Sequence, residues 1–156
     1  MPRIDVANIP VETGTNYPEQ FQQVVAGRRR KRLGNAVGLD QFGVNLTRIK
    51  PGTSSALRHW HAVEDELVYI LEGEVVLVED GGETVLRPGD AAGFKANSGN
   101  GHHLVNRSDR DAVYLEIGSR AMHDKVVYPD VDLVNRKDER GTLFFHKSGE
   151  PYAKGR

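Results

Sequence analysis

Two observations predict an all-β protein. From Leu39 onward, short apolar runs recur at a regular spacing, and turns rich in Gly, Asn or Asp separate them, for example Glu72-Gly73-Glu74 and Asp80-Gly81-Gly82. Short strands at this spacing are typical of a sandwich or a barrel. Several runs, such as Val75-Val76-Leu77-Val78, are apolar on both faces. Because both sides of such a strand must be covered, a closed two-sheet barrel is favoured.

The predicted strands occupy one continuous part of the chain. In the first of them Phe42, Val44 and Leu46 alternate with small or polar residues up to the turn Lys50-Pro51-Gly52. Such alternation is the pattern of a strand with one buried face. The later strands are predicted at residues 57–61, 66–71, 75–78, 84–86, 91–94, 102–106 and 112–117.

The segments on either side of these strands are less regular. Residues 1–17 are rich in Pro, Asn, Thr and Gly and are predicted to form an extended arm, an element that often crosses to a second subunit. Residues 19–25 are predicted to form a turn or two of helix between Pro18 and Gly27. After Ala121, further strands are predicted at residues 125–128, 131–134 and 142–145.

The length and composition indicate one domain. The chain has 156 residues, of which 38% are hydrophobic and 28% charged, and is therefore long enough to bury a core. We expect a single domain over residues 1–156. Within it we expect an arm and short helix at residues 1–41, a barrel core at 42–117 and a C-terminal extension at 118–156.

The charge balance and the absence of Cys exclude several functions. Lys and Arg (21 residues) nearly balance Asp and Glu (22), and the net charge of −1 gives no reason to expect nucleic acid or a membrane as partner. A chain without Cys has no disulfide, no thiolate catalysis and no Cys-type zinc site. The N-terminus lacks the apolar core of a signal peptide, and no apolar run is long enough to span a bilayer. A cytoplasmic protein is therefore expected.

Residues 28–32, from Arg28 to Arg32, form the only dense run of charge in the sequence. A solvated loop is the favoured interpretation, because runs of one sign are usually exposed and mobile. The alternative is a contact with an anion such as phosphate, since Arg offers paired donors that suit phosphate.

The histidines around Trp60 are the best candidates for chemistry. His59 and His61 are one residue apart, so on a strand both side chains project from the same face. Imidazole is the commonest metal ligand in proteins, and a carboxylate is expected nearby. Glu66 begins the next apolar strand and is the favoured carboxylate, with Glu64 and Asp65 as rivals in the turn. A metal site is therefore predicted here.

A further histidine ligand is expected from the segment Gly101–Asn106. Alternation along a strand places His102 on one side and His103 on the other, so only one of them can point inward. Alternation alone does not say which of the two faces the first pair.

These residues occur in two motifs through which the chain resembles a small single-domain cupin. The resemblance covers roughly residues 42–117, and the two motifs together are a specific signal, whereas either alone would be weak. The chain departs from the pattern by one extra residue before His59 and by a longer loop at residues 97–101. The first motif is matched by Gly52, His59, His61, Glu66 and Gly73, and the second by Gly82, Pro88, His102 and Asn106.

The resemblance implies both a fold and a metal site. The implied fold is a cupin-type double-stranded β-helix, a jelly-roll barrel of six to eight strands, here with N- and C-terminal extensions. The implied ligands of a divalent transition metal are His59, His61, Glu66 and His102, the last chosen by its spacing to Asn106. This donor set suits Mn, Fe, Co, Ni or Zn. No organic cofactor is expected.

The remaining polar and aromatic candidates have ordinary structural explanations. Trp60 is expected to pack in a core or a subunit interface. His103 is expected to be either exposed or in contact with a ligand residue, and His123 and His146 are expected to be structural or surface residues. Three polar residues on apolar strands are candidates for the pocket lining, namely Tyr69, Tyr114 and Glu116, and a buried hydroxyl bonded to the backbone explains the two tyrosines equally well.

The fold by itself does not fix a reaction. The first hypothesis is a metal-dependent enzyme acting on a small polar metabolite, with the metal as Lewis acid. A sugar or sugar-phosphate isomerase and a dioxygenase both fit this description, and no catalytic residue is assigned. The alternative is a non-catalytic cupin that binds a metabolite or has a regulatory role. The apolar outer strand faces and the N-terminal arm favour a homodimer.

Overall fold

Twelve short strands, arranged in three antiparallel sheets, form most of the molecule. The computed structural model describes residues 2–153, and in that part of the chain the predicted all-β fold class is confirmed. Three short 3-10 helices cover Val6–Asn8, Glu19–Val25 and Asn35–Val37. The strands are Arg28–Arg32 (β1), Phe42–Ile49 (β2), Trp60–His61 (β3), Glu66–Glu72 (β4), Val75–Glu79 (β5), Gly82–Leu86 (β6), Ala91–Phe94 (β7), His103–Val105 (β8), Ala112–Ser119 (β9), Asp124–Tyr128 (β10), Leu133–Asp138 (β11) and Gly141–Phe145 (β12).

The largest sheet has five strands, in the order β1-β2-β9-β4-β7. The other sheets have the orders β6-β5-β8 and β12-β11-β10-β3. Strands from both extensions therefore pair with strands of the central barrel, β1 with β2 and β10 with β3. The predicted strand at residues 57–61 is reduced to Trp60–His61, because the preceding residues make only isolated bridges to the segment that carries His102. No helix in the described residues is long and apolar enough to cross a membrane.

The favoured interpretation of residues 28–32 as a solvated loop is wrong. They form β1, which pairs along its whole length with β2, from Arg28 opposite Ile49 to Arg32 opposite Asn45. Charge is tolerated in this strand because the inward arginines find acceptors far away in the sequence. Arg28 donates to the carbonyl of Ser55 (2.7 Å), and Arg30 pairs with the carboxylate of Glu116 (2.6 Å).

The pairing of the five-stranded sheet aligns its inward side chains in rows across the strands. One row contains Arg30, Thr47 and Tyr114, the next contains Arg32, Asn45 and Glu116, and a third contains Gly43, Gly118 and Glu66. Alternate residues of the same strands point outward, and these are mostly apolar. They include Val44, Leu46, Leu67, Tyr69, Leu115 and Ile117.

Two hydrophobic cores hold the sheets together. The first contains Ile49, Ile70 and Leu104 and fills the barrel between the five-stranded and three-stranded sheets. The second contains residues from both extensions, including Val25 and Leu133. Full burial of one such side chain contributes about 1.5–3 kcal/mol. The helix at Glu19–Val25 is therefore fixed against the C-terminal strands of its own chain.

Candidate metal centre

The two histidine segments lie side by side. His59 and His102 form an isolated antiparallel bridge in which each backbone N–H donates to the other residue's carbonyl, at 3.1 and 2.9 Å. His59 and His61 project from the same face as alternation predicts, with ring centroids 5.1 Å apart. The rings of His59 and His102 are 4.8 Å apart. Backbone pairing thus brings the two sequence motifs to one place.

The Nε2 atoms of three histidines surround the carboxylate of Glu66. His102 Nε2 lies 2.6 Å from Glu66 Oε2, His61 Nε2 lies 3.2 Å from Oε1, and His59 Nε2 lies 3.5 Å from Oε2. Ligand atoms of His59, His61 and Glu66 all lie within 4.8 Å of one another. The four residues named from the sequence therefore converge on one point.

Two of these rings are held through Nδ1 and the third by stacking. His59 Nδ1 donates to the carbonyl of Leu57 (2.7 Å), and His61 Nδ1 donates to the carboxylate of Asp124 (2.6 Å). The ring of His102 stacks on Phe94 with centroids 3.6 Å apart. A proton on Nδ1 leaves the Nε2 lone pair free to bind a cation, and such outer partners are the usual support of metal-binding imidazoles. The residues therefore fit a divalent transition metal held by three imidazoles and one carboxylate.

The charges of the site depend on each other. Burial raises the pKa of Glu66, but hydrogen bonds from His102, His59 and His61 outweigh it and hold that pKa well below its usual range. Burial lowers the pKa of His61, but its bonds to Asp124 and Glu66 outweigh this and raise the pKa to about 10. Burial also lowers the pKa of His102. A cation bound at Nε2 would replace the proton of His61 as the partner of Glu66.

The structure separates Glu66 from its two sequence rivals. Glu64 lies on the Nδ1 side of His61, at 3.7 Å, and accepts from Lys137 (2.5 Å). Asp65 is at the surface, where it accepts from Lys95. Of the three acidic residues, only Glu66 is placed among the imidazole Nε2 atoms.

Asp124 is a part of the site that sequence reasoning missed. Its side chain is 2% exposed and also accepts from the backbone N–H of Val63 (2.9 Å). With His61 and Glu64 it forms a second group of potential ligand atoms. No local signal marks Asp124, because it lies 63 residues after His61 and approaches through the pairing of β10 with β3.

The other candidate residues take different places. Trp60 is the first residue of β3, lies between His59 and His61 in the sequence and is half-buried. His103 is half-buried and its Nδ1 contacts the carbonyl of Ala56 (2.8 Å). Tyr69 is on the outer face of β4, and Tyr114 is fully buried on the inner face of β9. The remaining two histidines lie near the surface and pair with carboxylates, His123 with Glu139 and His146 with Asp132.

A cavity of about 410 Å³ opens beside the histidines and Glu66. Its walls also carry Glu116 and the inward arginines of β1. Gly118 faces Glu66 across the sheet and has no side chain to fill the space next to that carboxylate. The site thus has room for a small molecule between the four predicted ligands and the cationic wall.

The fold and this site define a class of protein: the chain belongs to the cupin superfamily. A family model described as the cupin domain matches residues 45–118. The resemblance read from the two histidine motifs is therefore confirmed.

Solved structures extend the likeness beyond that domain. A protein of Silicibacter pomeroyi DSS-3, named a sugar phosphate isomerase from a cupin superfamily, is 43% identical; 97% of each chain is covered, with a TM-score of 0.94. A candidate sugar phosphate isomerase of Acidithiobacillus ferrooxidans is 30% identical over 82% of this chain and 81% of its own, with a TM-score of 0.74.

A more distant structure shares the fold alone. The polyketide cyclase RemF of Streptomyces resistomycificus is 21% identical over 76% of this chain and 79% of its own, with a TM-score of 0.63. No curated protein matches the chain.

Proposed function

We propose that this protein is a metal-dependent isomerase that moves a carbonyl group between adjacent carbons of a small sugar or sugar phosphate. The observation that carries the proposal is a single cavity that combines the four predicted metal ligands with the carboxylate of Glu116. The similarity to two proteins named as sugar phosphate isomerases supports the same reaction class.

His59, His61, His102 and Glu66 would hold the metal. When bound, a divalent cation supplies a Lewis acid that polarises the carbonyl oxygen of the substrate. Asp124 fixes the ring of His61, and the stacked ring of Phe94 fixes His102. These contacts hold the donor atoms in position before any substrate arrives.

Glu116 is the residue proposed to move the proton. Its Oε1 accepts from Asn45 Nδ2 (3.1 Å) and Thr47 Oγ1 (3.1 Å) and forms an ion pair with Arg30, whereas no described residue donates to its Oε2. One oxygen is therefore anchored and the other is free to act as a base. It would take the proton from the hydroxyl-bearing carbon next to the carbonyl and return it to the former carbonyl carbon. The hydroxyl proton passes to the former carbonyl oxygen in the same exchange, so both protons only change position and this isomerisation needs no external oxidant or reductant.

Hydrogen exchange during turnover tests this proposal. Protein loaded in turn with Mn, Fe, Co, Ni or Zn is mixed with aldoses and aldose phosphates in D₂O, and products are followed by nuclear magnetic resonance. An isomerase forms the matching ketose and places deuterium on the carbon that receives the proton. Oxygen uptake with oxidised product would instead identify a dioxygenase. Saturable metabolite binding without product would identify a non-catalytic cupin, and either result would overturn the proposal.

A homodimer is the proposed assembly. The central strands of the five-stranded sheet carry Val44, Leu46, Leu115 and Ile117 on their outer face, next to the side chains of Leu67 and Tyr69, which are each 41% exposed. An apolar sheet face of this kind is covered at low cost by the same face of a second copy.

A further inference from the structure

The inward half of the β1 charge run faces the same cavity as the metal centre. Alternation along the strand places Arg28, Arg30 and Arg32 on the cavity side and Arg29 and Lys31 on the other side. The three cavity-facing arginines belong to the rows that contain Ile49, Tyr114 and Glu116. A run that is uniform in the sequence therefore has two chemically different faces.

The three inward arginines are not equivalent. Both terminal nitrogens of Arg28 are used by backbone carbonyls, those of Ser55 (2.7 Å) and Gly14 (3.2 Å), so Arg28 is a structural residue. Arg30 contacts Glu116 through Nε, and Arg32 contacts Glu12 through Nε, each at 2.6 Å. Within the described residues, the terminal nitrogens of Arg30 and Arg32 donate to no acceptor. Each of these arginines thus keeps its two terminal NH2 groups for a ligand.

An independent observation points to a ligand at the same place. Tyr114 is fully buried, lines the cavity and has a hydroxyl without a hydrogen-bond partner among the described residues. A buried hydroxyl without a partner is unfavourable unless a ligand or water completes its bonding. Tyr114 lies two strands from Arg30 in the same row, so both donors face the same wall of the cavity.

The N-terminal arm closes this end of the cavity. A second space of about 390 Å³ shares the three inward arginines with the first and is walled by arm residues that include Thr13, Thr15 and Asn16. The arm is fixed to β1 because Glu12 and Arg30 exchange backbone hydrogen bonds of 2.8 and 3.0 Å. Hydroxyl and amide groups of the arm therefore lie next to the free donors of Arg30 and Arg32.

The inward arginines and Glu66 lie on the same face of one sheet, three strands apart. Between β1, which carries the arginines, and β4, which carries Glu66, lie only β2 and β9. At about 4.8 Å per strand, the two ends are separated by about 14 Å at the level of the backbone. The side chain of Arg30 already reaches across β2 to Glu116 on β9, so it spans part of that gap.

We propose that Arg30 and Arg32 bind the phosphate group of a phosphorylated sugar, whose carbonyl end lies at the histidine and Glu66 end of the cavity. The proposal rests on the proposed function for the nature of that carbonyl end. Arginine suits a phosphate monoester because its planar fork donates two parallel hydrogen bonds to two phosphate oxygens. Glu12 and Glu116 hold the two guanidinium groups in place through Nε alone.

Calorimetric titration of the metal-loaded protein tests the proposal. The probes are ribose 5-phosphate, inorganic phosphate, neutral ribose and the sugar carboxylate ribonate. The variants are Arg32→Gln and Arg30→Gln, and the matched control is Arg29→Gln, an exposed residue on the outer side of the same strand. Arg32 has a half-exposed side chain, so its variant is expected to fold. Metal content and thermal unfolding are measured for each protein.

We expect Arg32→Gln and Arg30→Gln each to weaken binding of ribose 5-phosphate about 10- to 100-fold, because each removes charge-assisted hydrogen bonds. Arg29→Gln should bind like the wild type, and neutral ribose should bind equally to all four proteins. Equal loss in Arg29→Gln would mean that only the general charge matters, and tighter binding of ribonate than of ribose 5-phosphate would identify a carboxylate ligand. Phosphate binding that persists in both inner variants but disappears on metal removal would place phosphate at the metal. Each of these three results overturns the proposal.

The same variants separate this proposal from the proposed function. Wild-type protein that binds ribose 5-phosphate through Arg30 and Arg32 but forms no ketose from any sugar phosphate would refute the isomerase and retain the phosphate site. Turnover of sugar phosphates with an unchanged KM in Arg32→Gln and Arg30→Gln would refute the phosphate site and retain the isomerase.

Discussion

The two ends of the cavity are built in different ways. At the histidine end, the rings of His59 and His61 are fixed through Nδ1 by a backbone carbonyl and by Asp124, and Nε2 points at Glu66. At the arginine end, Arg30 and Arg32 are each held through Nε by a single carboxylate, and their terminal nitrogens stay free. Both ends therefore use one atom of each side chain for support and leave another for a ligand.

The difference lies in how firmly each end is held. The supports of the histidine end are buried, because the side chain of Asp124 is almost fully enclosed. The partners of the arginine end are more open, and Glu12 is half-exposed. The proposed metal ligands are held by buried contacts, whereas the proposed anion site consists of long side chains that can adjust.

The largest effect is expected from a change in the proposed ligand carboxylate. Glu66→Gln keeps the shape of the side chain but removes the negative charge that the three imidazoles face. Metal affinity should fall by more than about 100-fold, beyond the loss typical of an outer partner. Elemental analysis after dialysis measures the bound metal, with Glu74→Gln at the surface as control. Stoichiometric metal in Glu66→Gln would contradict the proposed ligand set.

Substitution of Glu116 should lower the turnover rate without changing the metal content. Glu116→Gln retains a side-chain oxygen that can accept from Asn45 and Thr47 but removes the proposed base. We expect kcat to fall about 100- to 10,000-fold, the usual contribution of a general base, with unchanged metal content. Deuterium incorporation at the substrate carbon should fall in parallel. A variant that keeps full exchange would require another base.

Substitution of Asp124 should lower the metal affinity less than substitution of Glu66 does. Asp124→Asn replaces the carboxylate that accepts from His61 Nδ1 with an amide, so the ring is held less firmly and is less basic. Metal affinity should fall about 10- to 100-fold. Competition with a chelator measures it, and Glu139→Gln, which removes an exposed carboxylate beside His123, is the control. Equal affinity in Asp124→Asn and wild type would show that Asp124 does not support the site.

The smallest effect concerns the outer face of the sheet that forms the cavity wall. Tyr69→Glu places a charge in the proposed dimer contact and should weaken association about tenfold or more, because a central interface aromatic typically contributes that much. Sedimentation over a range of concentrations measures the association. Val85→Glu, an equally exposed apolar position on β6, should leave it unchanged. A wild-type protein that stays monomeric at micromolar concentration would refute the dimer itself.

Much of the histidine end could be predicted from the sequence. His59, His61 and Glu66 lie within eight residues of each other, and strand alternation is enough to place the two histidines on one face. His102 was identified as a candidate ligand from a second motif, and in the structure a backbone bridge places it beside His59. The metal itself stays a prediction.

The arginine end could not be predicted in the same way. From the sequence alone, residues 28–32 are interpreted as a solvated charge run. The structure shows instead that β1 pairs with β2 and that Arg30 forms an ion pair with Glu116, which lies 86 residues later. Asp124 shows the same limit, since nothing near it in the sequence indicates that it supports His61. A charge run is interpreted as exposed because its compensating partners are not local.

The sequence by itself determined the features that depend on neighbouring residues: the short strands, their turns, the alternation of side chains between two faces and the two histidine motifs. These follow from local backbone chemistry, because a strand repeats every two residues and a turn needs particular residue types. Only the tertiary structure decided which strands are neighbours and in what register. That pairing put Arg30 and Arg32 in the same cavity as Glu66, because contacts across a sheet depend on topology rather than on distance along the chain.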